Sequence, residues 1–136
     1  MAEPSARKRA KAKIVVHRSE SEPFDETVSP KLVRVHIAET FTGDIEAEST
    51  VQALQVLRDD KSASMVSMQR VVGTLDGRRG TFVLQGSEIV AQGKINATWF
   101  VVPGSGTGEL VGLRGEGGFE GAFGEGSEGK LEYWFE

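Results

Sequence analysis

Apolar and polar residues alternate with a period of two along most of this chain, the spacing of half-buried strands rather than surface helices. Residues 31–41 show it most clearly: Leu32, Arg34, His36 and Ala38 fall on one face, and Val33, Val35, Ile37 and Glu39 on the other. Residues 45–57 repeat the pattern, with Ile45, Ala47, Ser49, Val51, Ala53, Gln55 and Leu57 set against Glu46, Glu48, Thr50, Gln52, Leu54 and Val56. A helix over 51–58 is the alternative. The strand reading is preferred because Asp59-Asp60-Lys61 supplies a hairpin connection to the β-favouring run at 64–75. Asp76-Gly77 then gives the strongest short hairpin signal in the chain.

Further strands are predicted at 78–90 and 93–102, and a glycine-interrupted one at 107–117. Residues 118–129 read as a mobile loop or distorted hairpin, and 130–135 as a closing strand. At the other end, 12–17 form a short first strand, followed by an irregular connection carrying Pro23 and Pro30. Seven or eight hairpin-linked strands without a convincing helix define a meander. Such a meander is expected to close into a single all-β, antiparallel up-and-down barrel, because pairing the first strand with the last removes both exposed edges.

Composition adds three things. Seventeen glycines, eleven of them after Val102, suit bulges, tight turns and close backbone approach. The absence of cysteine excludes disulfides, thiolate metal sites and a cysteine nucleophile, and fits a reducing, cytoplasmic location. The net charge of −4 divides into about +4 over residues 1–13 and near −8 over the rest. Residues 1–12 are therefore expected to be a disordered basic tail on a barrel domain at 13–136, and the acidic body argues against nucleic acid as a partner. No apolar run has a membrane helix's length, so no membrane partner is expected either.

The blocks Gly43-Asp44-Ile45-Glu46, Gly73-Thr74-Leu75-Asp76-Gly77 and Gly80-Thr81-Phe82-Val83-Leu84-Gln85 precede Pro103-Gly104-Ser105-Gly106-Thr107-Gly108-Glu109-Leu110 and Gly112-Leu113-Arg114-Gly115-Glu116-Gly117. Together they resemble a bacterial family of unknown function, similar in fold to allene oxide cyclase, a calycin-type barrel. The resemblance covers residues 32–135 and implies the barrel; it does not imply cyclisation of an allene oxide. Relatives have a histidine where this chain has Gly86, and often an acidic residue where it has Gln69. Those two departures shift the expectation from acid/base chemistry towards binding.

The candidate chemistry is that of a small-molecule barrel. The glycine-rich block at 104–108 lacks both the following helix of a dinucleotide site and the lysine of a P-loop, so it reads as a bulged turn at the barrel rim. Glu46 and Glu48 share a strand face about 7 Å apart. If that face is the lumen, one of them can act as a general base; if it faces water, they are solvated charges. Glu48 and Glu109 are the candidate catalytic carboxylates, and Glu46, Gln69, Gln85, Trp99 and Arg114 the candidate ligand contacts, with Arg114 alternatively paired to Glu109 or Glu116. His17 and His36 have no metal-ligand spacing, so neither a metal nor a cofactor is expected. The expected ligand is a small, partly apolar organic molecule, bound with or without proton-transfer catalysis such as cyclisation or isomerisation; the rival is a structural barrel filled by side chains. Residues 95–102 are apolar on both faces, which predicts a homo-oligomer, most simply a dimer.

Overall fold

The computed structural model describes residues 6–122 and 127–136. Eight strands run in chain order: β1 (Lys8–Asp25), β2 (Lys31–Gly43), β3 (Ile45–Leu57), β4 (Ala63–Leu75), β5 (Arg78–Ala91), β6 (Lys94–Val101), β7 (Leu113–Ala122) and β8 (Ser127–Phe135). Each pairs antiparallel with its neighbours, and β1 closes on β8 from Lys8 opposite Tyr133 to Ile14 opposite Ser127. The expected up-and-down barrel is the observed one. Residues 51–58 lie almost wholly in β3, so the helical alternative for that stretch fails.

Two hairpins show why the turns fall where the sequence placed them. Asp76 and Gly77 both have positive φ, +47° and +83°, as do Gln92 and Gly93, +55° and +75°. That pairing matches the right-handed twist of the flanking strands.

Three expectations need correction. The tail is shorter than expected, because Lys8 to Ala12 already pair with β8 and bury Ala10 and Ala12 in the core. The connection after residue 17 is also strand: Arg18 to Asp25 continue β1 along β2, with register shifts beside His17 and Phe24. Pro23 is tolerated there because, among the described residues, this stretch has no strand partner on its other side, β8 having left β1 at Ile14. Finally, the strand expected from residue 107 begins only at Leu113. A 3-10 turn, Gly108–Leu110, precedes it, and the segment straps back onto β5 through Thr107 N–H to the Thr81 carbonyl (2.9 Å) and Val83 N–H to Ser105 Oγ (3.1 Å). The glycines of this block serve packing: a Cβ on Gly106 would lie 1.9 Å from the Leu110 carbonyl oxygen. Of the two readings of 118–129 the hairpin is the observed one, with strand up to Ala122 and from Ser127; 123–126 lie outside the described residues.

Alternation gives the barrel one apolar inside. One end is plugged by Phe41, Leu75, Phe82, Leu84, Leu110 and Leu131, each at most 2% exposed. Trp99 completes this core; its indole reaches across β7 at Gly117 and donates Nε1–H to the Lys130 carbonyl on β8 (3.2 Å). A smaller apolar cluster of Val33, Val35 and Ala53, with Ile37, Leu57 and Met65 against it, lines the other end. There the side chains of Ile37, Leu57, Met65 and Ile95 remain partly exposed, so this end is less tightly closed than the other.

Gly117 and Gly118 let β7 bend at the barrel corner, an ideal Cβ at either lying 2.0 Å from a neighbouring strand's carbonyl oxygen. Gly117→Ala is therefore expected to lower unfolding free energy by about 2 kcal/mol or more. Gly77→Ala, which meets nothing within 4 Å and bears only the cost of positive φ, is expected to lose about 1 kcal/mol. Urea titration of the two variants checks the order.

Candidate functional site

Between the apolar clusters lies a polar layer. Glu39 of β2 follows Val33, Val35 and Ile37 on the inward face and stands opposite Ser49 of β3. Ser67 and Gln69 of β4 and Glu88 of β5 complete it, and Ser49, Ser67, Gln69 and Glu88 are all less than 9% exposed. The Gln69 side-chain amide donates to Glu39, and Ser67 Oγ donates to Glu88 Oε1 at 2.6 Å. Among the described residues two buried atoms of the layer have no partner, Ser49 Oγ and Glu88 Oε2.

The electrostatics follow from the surroundings. Burial pushes the Glu39 carboxyl up to about 7, against the Gln69 hydrogen bond that favours its charged form and with a smaller push from the Glu88 charge. Burial also raises Glu88, opposed by Ser67. Lys, Arg and His are absent from the inward positions of the described strands, so no cation offsets either acid. A carboxyl titrating near neutrality, with a second acid beside it, can accept or release a proton at physiological pH.

The residues singled out by sequence do not all converge here. Gln69 lies in the polar layer and Trp99 in the lumen beside it. Glu46 and Glu48 project from the outer wall, because Ile45, Ala47, Ser49, Val51 and Ala53 take the inward face of β3. Glu46 accepts from the Gly43 N–H (2.8 Å), and Glu48 lines an outer hollow of about 570 Å³ with His17, Thr40 and Arg70, whose lining also includes Glu39 and Ser49. Gln85 also sits on the outer wall, between inward Leu84 and Gly86. Glu109 and Arg114 belong to the plugged end: Glu109 accepts from the Arg79 N–H (3.2 Å), and Arg114 pairs with Glu136 (2.6 Å) rather than with Glu109 or Glu116. His17 and His36 are exposed and bonded to Thr40 and Gln52. No cluster of three His, Asp or Glu side chains suited to a metal ion occurs among the described residues.

Sequence reasoning missed Glu39, Ser49, Ser67 and Glu88 as site residues. The signal was present for Glu39, a carboxylate in phase with Val33, Val35 and Ile37. Glu88, in phase with Leu84 and Val90, carries the same mark. The position where the resemblance places a histidine, Gly86, also faces this layer: a Cβ there would lie 2.7 Å from Glu88 Oε1 and 2.8 Å from Ser67 Oγ.

A raised carboxyl pKa has a definite sign in stability. Folded Glu39 binds its proton more tightly than the unfolded chain does, so its contribution is full below about pH 4.5 and is lost as pH rises through about 7. The difference in unfolding free energy between wild type and Glu39→Gln should therefore move in favour of the variant by roughly 3 kcal/mol between pH 4 and pH 8. Paired urea titrations across that range check it; parallel curves would mean the carboxyl is not perturbed.

Comparison with known proteins bears on the whole barrel. A crystal structure of a protein of unknown function from Shewanella oneidensis MR-1, from the DUF3224 family, superposes with a TM-score of 0.79 at 31% identity, covering 96% of this chain and 98% of that one. No curated protein matches the sequence. The family model for proteins of unknown function DUF3224 matches residues 10–136, from the first buried alanine of β1 to the C-terminal Glu136, and the chain belongs to that family.

Proposed function

We propose that the barrel binds a small, partly apolar organic molecule through the less tightly closed end of its lumen, with Glu39 as the group that exchanges a proton with it. The observation that carries this reading is the pair of unpartnered buried atoms, Ser49 Oγ and Glu88 Oε2. A buried polar atom left unpaired costs on the order of 1–3 kcal/mol, and a ligand bringing complementary groups removes that cost. A few convergent polar groups in an apolar chamber are the usual make-up of a small-molecule site. The resemblance to the allene oxide cyclase barrel suits a cofactor-independent isomerisation or cyclisation, in which Glu39 removes or delivers a proton and the chamber holds the substrate's shape. The competing reading, a non-catalytic barrel filled by side chains, is favoured by the tightly packed plugged end.

A thermal-shift screen of a metabolite library at pH 7 tests the proposal, since a ligand of the native state alone raises the melting temperature. At least one compound is expected to raise it by several degrees and to lose that effect in Ser49→Leu, which fills the chamber. A library without a single stabilising compound would favour the filled barrel.

We further propose that the outer wall docks a second copy of this chain. A concavity of about 1010 Å³ opens on that wall, and Leu54, Val66, Met68 and Phe100, which line it, are 50%, 58%, 50% and 42% exposed. Arg34 sits on its β2 side and Glu116 and Glu132 on its β7 and β8 side. Within the chain Arg34 pairs with Glu22 (3.8 Å) and Glu116 and Glu132 pair with Arg7 (3.4 Å each), so the exposed apolar centre carries the docking, a self-complementary patch of the kind an isologous dimer uses. Sedimentation equilibrium is expected to give a dimer, converted to monomer by Met68→Glu with Phe100→Glu; a monomeric wild type would overturn the docking proposal.

A further inference from the structure

Resting on the lumenal reading above, we propose that the natural ligand presents a cationic nitrogen, an ammonium or amidinium on an apolar body, to Glu39 and Glu88. The argument begins with what the lumen contains. Its inward positions hold two carboxyl groups and no Lys, Arg or His among the described residues, while the basic side chains stand outside. The strands beside Glu39 bear this out: β1 contributes Val16, β3 contributes Ser49, β4 contributes Ser67 and Gln69, and β5 contributes Glu88, whereas His17, Arg34, His36, Glu48 and Arg70 are exposed, with His17, Glu48 and Arg70 in the outer hollow whose lining also includes Glu39 and Ser49. Two acids withdrawn from water with no counter-charge repel each other and each loses hydration, so the folded protein holds them at a cost.

A cationic ligand reverses both effects. An ammonium carries three donors and no acceptor. Those donors match the acceptors the layer leaves open: Glu88 Oε2, Ser49 Oγ and the Glu39 carboxylate. An anion would add a third like charge, and a neutral alcohol would supply one donor while leaving the repulsion in place. A divalent metal needs more oxygen ligands than two carboxylates offer, and no third acidic or imidazole ligand joins them among the described residues. The apolar side chains above the layer, Ile37, Leu57 and Met65, are placed to cover the ligand's body.

Proton release is the signature. Binding a cation favours the ionised form of Glu39, so at pH 6, where burial keeps this carboxyl mostly protonated, association should release up to about one proton. The experiment is isothermal titration calorimetry of the full chain at pH 6, in two buffers of different ionisation enthalpy. The probes are benzylamine, benzyl alcohol and benzoate, which share one body and differ in charge. Benzylamine is expected to bind about tenfold more tightly than benzyl alcohol, the difference between a charge-assisted and a neutral hydrogen bond, with benzoate weakest. Glu88→Gln should weaken benzylamine more than benzyl alcohol and so remove most of that tenfold advantage. If that variant fails to fold, the comparison of amine with alcohol in the wild type, with its proton release, decides alone.

Benzyl alcohol binding as tightly as benzylamine, or amine binding without proton release, would overturn the cation proposal while leaving the lumenal site standing. If neither these probes nor any library compound binds, the lumenal reading fails as well.

Discussion

Closure of the sheet is the constraint on which everything else in this molecule rests. The pairing of β1 with β8 turns a meander with two free edges into a wall with one inside, and only then does the alternation of each strand acquire a meaning. Had the sheet stayed open, the face bearing Glu39 and the face bearing Glu48 would both have been open to water. In the closed barrel one is interior and the other exterior, and a step of one residue along a strand separates them.

Closure also explains the unusual composition. A barrel this small must bend sharply, and β7 does so at Gly117 and Gly118, where neighbouring carbonyl oxygens occupy the space of a side chain. On β8 it is Gly129 that gives the Trp99 ring room, a Cβ there lying 3.0 Å from the indole, so the large aromatic and the small residue are two halves of one packing solution. At the plugged end, the glycine-rich segment brings Leu110 under the barrel and ties itself to β5 by backbone and hydroxyl hydrogen bonds. A sequence that resembles a phosphate-binding loop is here a lid for a hydrophobic core.

The polar layer stands out against that packing. The plugged end is apolar and tightly closed, yet the middle of the lumen holds two acids, two serines and an amide, with two atoms unpartnered. A barrel optimised for stability alone would place apolar residues there, since replacing incompletely satisfied polar groups by well-packed apolar ones is seldom costly. The layer is therefore the part of the molecule that asks for a functional explanation, and its chemistry, acidic and without a counter-charge, narrows the kind of molecule that suits it.

The sequence by itself determined the fold class, because period-two alternation and positive-φ turn residues such as Asp76-Gly77 are local and leave few ways to arrange the strands. It also marked Gln69 and Gln85 as amides in otherwise β-favouring strands, and only the first of them faces the core. What it did not determine was which face of β3 points inward. Ile45, Ala47 and Val51 mark one face as apolar, but Leu54 and Val56 share the other face with Glu46 and Glu48, and the choice came from register against Phe41 on β2 and Leu75 on β4. Tertiary structure alone brought Glu39 and Glu88 into one chamber: they lie on β2 and β5, far apart in the chain, and it is curvature of the intervening strands that turns both side chains towards the same axis.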